Sequence, residues 1–239
     1  KERILEIMNQ VEGESLTPYE DRVSNEPLIA KMPKPGKITG IEENPVFGTK
    51  ILTLSNGVRV VLKETDFKQD QLLLSAFAFG GSSLVPEKDI PSATVLNEVI
   101  PLGGLGNFSS IDLKKALAGK KVSVSFRQNL YNQSIIGDCS PQDVETMMQL
   151  LYLMFTSPRA DQDAYASFLE RKKAQLENRT NNPMSSFNDS ISKAVYEDNP
   201  RMKQFTEEDL KKVNYNTVLN IYKNRVANAA EYTYVFTGN

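Results

Sequence analysis

Ser92-Ala-Thr-Val95-Leu96-Asn97-Glu98-Val99-Ile100-Pro101-Leu102-Gly103-Gly104-Leu105-Gly106-Asn107-Phe108-Ser109 is the stretch around which the rest of the chain can be arranged. Thr94, Val95, Glu98 and Val99 fall at helical spacing, so the stretch reads as a short buried helix with one carboxylate on a mostly apolar face. Pro101, Gly103, Gly104 and Gly106 are expected to end it. A carboxylate on an apolar face needs a partner, and no basic residue stands close to Glu98 in sequence.

Working upstream, Ile51-Leu-Thr-Leu54 and Val58-Arg-Val-Val-Leu62 flank Ser55-Asn56-Gly57. Asn-Gly supplies the positive φ angles of a tight hairpin. Residues 71–79 read as a third, largely buried strand ending at Gly80-Gly81-Ser82-Ser83. Downstream, residues 110–117 form a short helix stopped by Gly119, residues 122–126 alternate as a strand, and residues 132–138 are its partner.

Helices then take over. Ser140-Pro141-Gln142-Asp143 is a helix start with Ser140 as N-cap. Val144, Met147, Met148, Leu151, Met154 and Phe155 follow as one apolar stripe, stopped by Pro158. Asp161 caps the next helix, which is expected to bury Ala164, Tyr165, Phe168, Leu169 and Leu176. Asn181-Asn182-Pro183 breaks it and starts another, with Phe187, Ile191 and Val195 inward. Thr206-Glu-Glu-Asp209 is a capping box. It leads to turns carrying Leu210, Val213, Val218, Leu219 and Tyr222. Residues 231–236 close the chain as a strand. The order predicts an α+β domain, a mainly antiparallel sheet with helices packed on one face.

Bulk properties narrow the function. The chain has 239 residues, 40% of them hydrophobic and 24% charged, which suffices for a real core. Its formal charge of −2 gives no electrostatic case for nucleic acid or an anionic membrane. No apolar run approaches a membrane span, and no signal-peptide core follows Lys1. One cysteine, Cys139, precludes an internal disulfide and leaves the redox compartment open. With no histidine, serine–histidine and cysteine–histidine catalysis and every histidine-based zinc site are removed.

The N-terminal 49 residues differ from the rest. Ile4, Leu5, Ile7, Met8 and Val11 make a short amphipathic helix. Residues 12–49 hold Pro18, Pro27, Pro33, Pro35 and Pro45 with Gly36 and Gly40, a spacing that precludes continuous helix or central strand. The expected division is therefore 1–49 as helix and linker arm, and 50–239 as the folded domain. A preceding segment is expected before Lys1, and an end at a strand points to a larger architecture.

The ordered set of Leu54-Ser-Asn-Gly-Val-Arg-Val-Val-Leu-Lys63, Phe79-Gly-Gly-Ser-Ser83, Gly106-Asn-Phe-Ser109, Gly137-Asp-Cys-Ser140, Phe155-Thr-Ser-Pro-Arg159 and Tyr234-Val-Phe-Thr-Gly-Asn239 resembles one domain of the insulinase/pitrilysin zinc metallopeptidases. The resemblance covers residues 50–239. The proline arm is similar to the linker between the two halves of the bacterial single-chain members. Active members carry an inverted motif, H-x-x-E-H, in which two histidines hold zinc and the glutamate is general base. Aligned on Asn107-Phe108, the motif falls on Val95-Leu96-Asn97-Glu98-Val99. The glutamate position is kept as Glu98, while valine, which has no lone pair to donate, stands at both histidine positions. Glu170 and Glu177 are the acids nearest the third-ligand position.

The resemblance implies the first domain of a non-catalytic half, with no catalytic and no metal-ligating residue of its own. Zinc would belong to the catalytic half, carried by the same protein or a partner subunit. The two halves would close like a clam around a peptide substrate, with this domain as chamber wall. A bacterial periplasmic or membrane-associated setting is implied, and a cytoplasmic one stays open. Two rivals are a structural domain without proteolytic role and an unrelated peptide-binding module.

Several residues carry a functional and a plainer reading. Glu98 reads as a vestigial base, a ligand for another ion, or a buried acid bonded to backbone amides of the 103–106 turn, and the last is the expectation. Cys139 reads as an inert packing residue, although a place just before a helix start would lower a thiol pKa. Gly103-Gly104-Leu105-Gly106 follows a helix and lacks the phosphate-loop lysine, so it reads as a turn or C-cap. Met147, Met148 and Met154 read as core, and Arg171-Lys172-Lys173 as a solvated face. Asn107, Asn132, Asn178 and Asn188 begin Asn-x-Ser/Thr triplets, a pattern that chance explains.

Overall fold

The computed structural model describes residues 2–13, 26–179, 182–197 and 199–239. Pro18 of the arm and Asn181 of the helix break lie outside the described residues. Helix α1 (Glu2–Glu12) comes first, with Ile4, Leu5, Ile7, Met8 and Val11 exposed. Strands β1 (Ile38–Asn44), β2 (Thr49–Leu54), β3 (Arg59–Glu64) and β4 (Leu72–Phe79) follow. Then come α2 (Ile90–Thr94), α3 (Leu96–Gly103) and α4 (Ser110–Ala116). Strands β5 (Val122–Gln128) and β6 (Asn132–Cys139) precede α5 (Val144–Thr156), α6 (Gln162–Arg179), α7 (Pro183–Tyr196), α8 (Glu207–Lys211) and α9 (Tyr215–Arg225). Strand β7 (Thr233–Gly238) ends the chain.

The seven strands among the described residues form one sheet in the order β1-β2-β3-β7-β4-β6-β5. Only β3 and β7 run parallel; every other pair is antiparallel, which agrees with the mainly antiparallel α+β expectation. The Asn-Gly hairpin forms as predicted: Thr53 pairs with Arg59, and Gly57 takes φ 84°, a conformation costly for a residue with Cβ. One part of the arm is corrected. Residues 38–44 are strand β1, paired with β2 and flanked by Pro35 and Pro45. Proline lacks a ladder donor, and the strand it borders sits at the sheet edge, where that donor is not needed.

Strand β4 shows how the sheet is sided. Leu74, Ala76 and Ala78 are buried, while Leu73, Ser75, Phe77 and Phe79 face outward. The buried side joins Ile135, Phe126 and Tyr234 with Val95, Leu96 and Val99 of the opening stretch, Met147 and Leu151 of α5, and Val218 and Tyr222 of α9. Gly137 is where α5 comes closest, since a Cβ there would lie 3.1 Å from Met147 Sδ. Buried tyrosines keep their hydroxyls paired: Tyr222 donates to Met154 O and Tyr232 to Arg225 O. Burial pushes both phenols far above their ordinary pKa.

Two helix faces differ from the sequence reading. Met148 of the α5 stripe is 42% exposed, at the stripe's margin. The larger difference is α7, where Phe187, Ile191 and Val195 point outward rather than in. Polar contacts accompany that rotation. Asn182 caps it through the Met184 N–H, and Asp189 is held by the Arg179 guanidinium of α6. Ser185, Asp189 and Ser192 are thereby turned toward the body, and the apolar row faces solvent.

Candidate functional site

The 92–109 stretch is two helices rather than one. Val95 has φ −90° and ψ 0° and stands between α2 and α3, as the C-cap of one and the N-cap of the other. Pro101 does not end α3 but lies in its last turn, which runs to Gly103. Ser92, buried in α2, accepts a hydrogen bond from the Asn214 N–H at the start of α9. Asn97 clamps α3 to the end of β5: its Oδ1 accepts from Gln128 N at 2.8 Å and its Nδ2 donates to Gln128 O at 2.9 Å.

Glu98 is not the buried, backbone-bonded acid expected. It is half-exposed and accepts from Lys172 Nζ of α6 at 2.7 Å. Lys172 in turn is not part of a solvated face, since its side chain is only 15% exposed. The basic run is divided by the helix period: Lys172 turns toward α3, while Lys173 makes an exposed contact with Glu177 at 3.9 Å. Glu170 and Glu177 are both exposed and neither meets Glu98.

Val95 and Val99 are fully enclosed in the core. Their isopropyl groups offer a metal no lone pair, and the one carboxylate nearby is engaged by an ammonium. These three residues therefore do not fit a zinc ion. Among the described residues no cluster of three or more histidine, cysteine, aspartate or glutamate side chains could hold one.

The glycine turn is filled by the protein itself. Arg159 Nη1 donates to Gly103 O at 2.9 Å and also pairs with Asp161, whose carboxyl the Ala164 N–H and that guanidinium hold below the ordinary range. A Cβ on Gly103 would lie 1.9 Å from Arg159 O, and Gly104, the C-cap of α3, has φ 82° and ψ −162°, a backbone that only glycine adopts readily. The turn packs backbone on backbone and has no room for a phosphate.

Cys139 is enclosed at the end of β6. Burial pushes its thiol up, reinforced by the negative charges of Asp138 and Asp143. Burial first, and then the charges of Asp138 and Asp143, outweigh the lowering expected from the following helix. Ser140 stands at the N-cap position as expected, its carbonyl accepting from Asp143 N, but its hydroxyl caps no backbone N–H and instead donates to the Asp143 carboxylate, which also accepts from Lys121 N. These bonds hold the Asp143 carboxyl below its usual range.

Two surfaces escaped the reading from sequence. One is the outer face of the sheet, where Leu73, Phe77, Phe79 and Ile136 are exposed together and the two phenylalanine rings meet edge-to-face at 5.8 Å. The alternation of β4 and β6 marks that face, and the sheet order leaves it uncovered among the described residues. The other is a pocket of about 300 Å³ between α3, α4 and β5.

A mixed sheet backed by core helices, with Asn97 holding α3 against its β5 edge, defines an α+β domain of the mixed-sheet class. No family model matches the chain. A PQQL-like zinc protease of Arabidopsis thaliana is 26% identical over 99% of this chain, which spans 22% of that protein. The structure of the periplasmic protease PqqL of Escherichia coli matches 99% of this chain with a TM-score of 0.77 at 22% identity, and 26% of that protein is covered. A peptidase M16 inactive domain from Pseudomonas fluorescens matches 80% of this chain with a TM-score of 0.64 at 14% identity, over 46% of its own length. The chain is thus a relative of part of the PqqL-type zinc proteases and has the fold of M16 peptidase domains, an inactive one among them. It spans about a fifth of the curated relative's length. No helix of the described residues is long and apolar enough to cross a membrane.

Proposed function

We propose that this chain is the first domain of the non-catalytic half of a zinc metallopeptidase, and that it walls the chamber in which the other half cleaves peptides. The supporting observation is the outer sheet face, with Leu73, Phe77, Phe79 and Ile136 exposed while the core residues of α3, α5 and α9 pack on the opposite face. Exposed apolar surface of this kind marks a contact surface, and an unfolded peptide supplies matching apolar side chains. In this reading Val95, Glu98 and Val99 stand in the positions of a lost H-x-x-E-H motif. Lys172 neutralises the glutamate that the motif retains. Zinc belongs to the catalytic half, and the division at residue 50 is extended so that β1 counts with the sheet. A periplasmic setting accords with the E. coli relative's name.

The test is a titration of isotopically labelled chain with an unstructured twenty-residue peptide rich in leucine. Amide shifts centred on residues 73, 77, 79 and 136 are expected. Saturable binding that leaves those amides unmoved would refute the wall.

A further inference from the structure

A cavity of about 390 Å³ opens between the start of α2, the loop of residues 200–205 and α8. Lys88, Arg201, Lys203 and Lys212 line it, against the acids Glu87 and Asp209. Four cations against two acids leave a surplus of two positive charges, in a chain whose net charge is −2. Ile90, Pro91 and Phe205 form the apolar part of the lining. Apolar walls lower the local dielectric and strengthen the charges beside them.

Three of these groups are held in place. Arg201 donates from Nη1 to Ser82 O at 2.6 Å and from Nη2 to Val85 O at 2.7 Å, which pins its loop to the segment before α2. Lys203 Nζ donates to Asp209 Oδ1 at 2.9 Å. The Asp209 carboxylate is enclosed and also accepts from the Thr206 hydroxyl and N–H, so its charge is already engaged. Lys212, three positions further on, shares the Asp209 side of that turn, and Lys88 faces it from the segment before α2. Both lysines are exposed, and neither forms an ion pair among the described residues.

This is not the arrangement that holds a single carboxylate. Both Nη atoms of Arg201 are turned to carbonyls, so the parallel two-bond grip of a guanidinium on one carboxylate is not offered. The other cations are lysine ammoniums from three separate segments, point charges set around one mouth.

We infer that this cavity binds a small diphosphate, whose charge is divided among Lys88, Lys203 and Lys212 in front of the fixed Arg201. Two linked phosphoryl groups carry the negative charge that the lining lacks and spread it over several oxygens, which one carboxylate does not. The site is built by α2, α8 and the loop between α7 and α8, apart from the outer sheet face. It stands whether or not that face meets peptide.

The experiment titrates the chain with inorganic pyrophosphate at constant ionic strength, followed by calorimetry and by amide shifts. One-to-one binding below millimolar concentration is expected, with shifts centred on residues 88, 205 and 212. Sulfate, with fewer charges on a shorter ion, should bind weaker by about tenfold or more. Lys88→Glu and Lys212→Glu, each at an exposed position, should each weaken pyrophosphate by about tenfold, and the matching glutamine variants by less. Lys68→Glu, exposed on the connection between β3 and β4, makes the same change in net charge and should move the affinity by less than about twofold. The inference is overturned if pyrophosphate fails to bind below millimolar concentration, or if sulfate binds as tightly. It is likewise overturned if Lys68→Glu weakens binding as much as the two cavity variants do, or if the shifted amides are those of residues 73, 77 and 136.

Discussion

Lys172 of α6 places its ammonium 2.7 Å from the Glu98 carboxylate of α3, across 74 positions of sequence. The pair supplies the partner that a carboxylate on this helix required, and it does so from the end of the pair that is mostly enclosed. Because Glu98 is half-exposed, its strength is modest. A double-mutant cycle of Glu98→Gln and Lys172→Met, read by urea unfolding, should give a coupling of about 0.5–1 kcal/mol that shrinks at high salt. A coupling of zero at low salt would remove the pair from the account.

Asn97 carries more of the attachment of α3 to the sheet than Glu98 does. Asn97→Ala strands both backbone groups of Gln128, a residue whose side-chain amide already lacks a partner in the described structure. A loss of about 1–3 kcal/mol is expected in the same unfolding measurement. A loss under a few tenths would mean that water replaces the amide without cost.

The Asp209 carboxylate links stability to acid. Burial opposes its ionisation, but hydrogen bonds from Lys203 and Thr206 outweigh that and hold its pKa below the ordinary value. A group depressed in the folded state stabilises above its unfolded pKa of about 4, and the contribution is lost as pH falls through the lower folded value. Asp209→Asn should therefore destabilise by about 1–3 kcal/mol at pH 7, with the gap closing below about pH 4. A gap that widens on acidification would contradict the assignment.

Enclosure of Cys139, together with the two aspartates beside it, predicts a silent thiol. The native chain at pH 8 should react with a disulfide reagent only as fast as it unfolds, and urea should release one thiol per chain. Rapid labelling of the folded protein would show that the site opens.

Much of this fold is legible from local chemistry. Asn56-Gly57 gives the hairpin, Thr206 and Asp209 the capping box, and Asp161 the start of α6. What local pattern does not carry is the order of strands: β7 is plain as a strand, yet its insertion between β3 and β4 depends on contacts across the whole chain. Lys172 is invisible as the partner of Glu98 for the same reason. An apolar row ordinarily seeks the core, yet Phe187, Ile191 and Val195 of α7 face solvent while Asp189 pairs with Arg179 of α6.

The valines at positions 95 and 99 predict that the purified chain holds no stoichiometric zinc and cleaves no peptide in a chelator-sensitive manner. Tight one-to-one zinc in elemental analysis would sink the non-catalytic assignment.

The most direct measurement of the central claim is peptide hydrolysis by a longer polypeptide that joins this chain to the catalytic half proposed above. Leu73→Asp together with Phe77→Asp, on the outer sheet face, should lower kcat/KM by about tenfold or more while zinc content stays at one per polypeptide. Unchanged kcat/KM with the same zinc content would show that the face does not meet substrate, and would contradict the account.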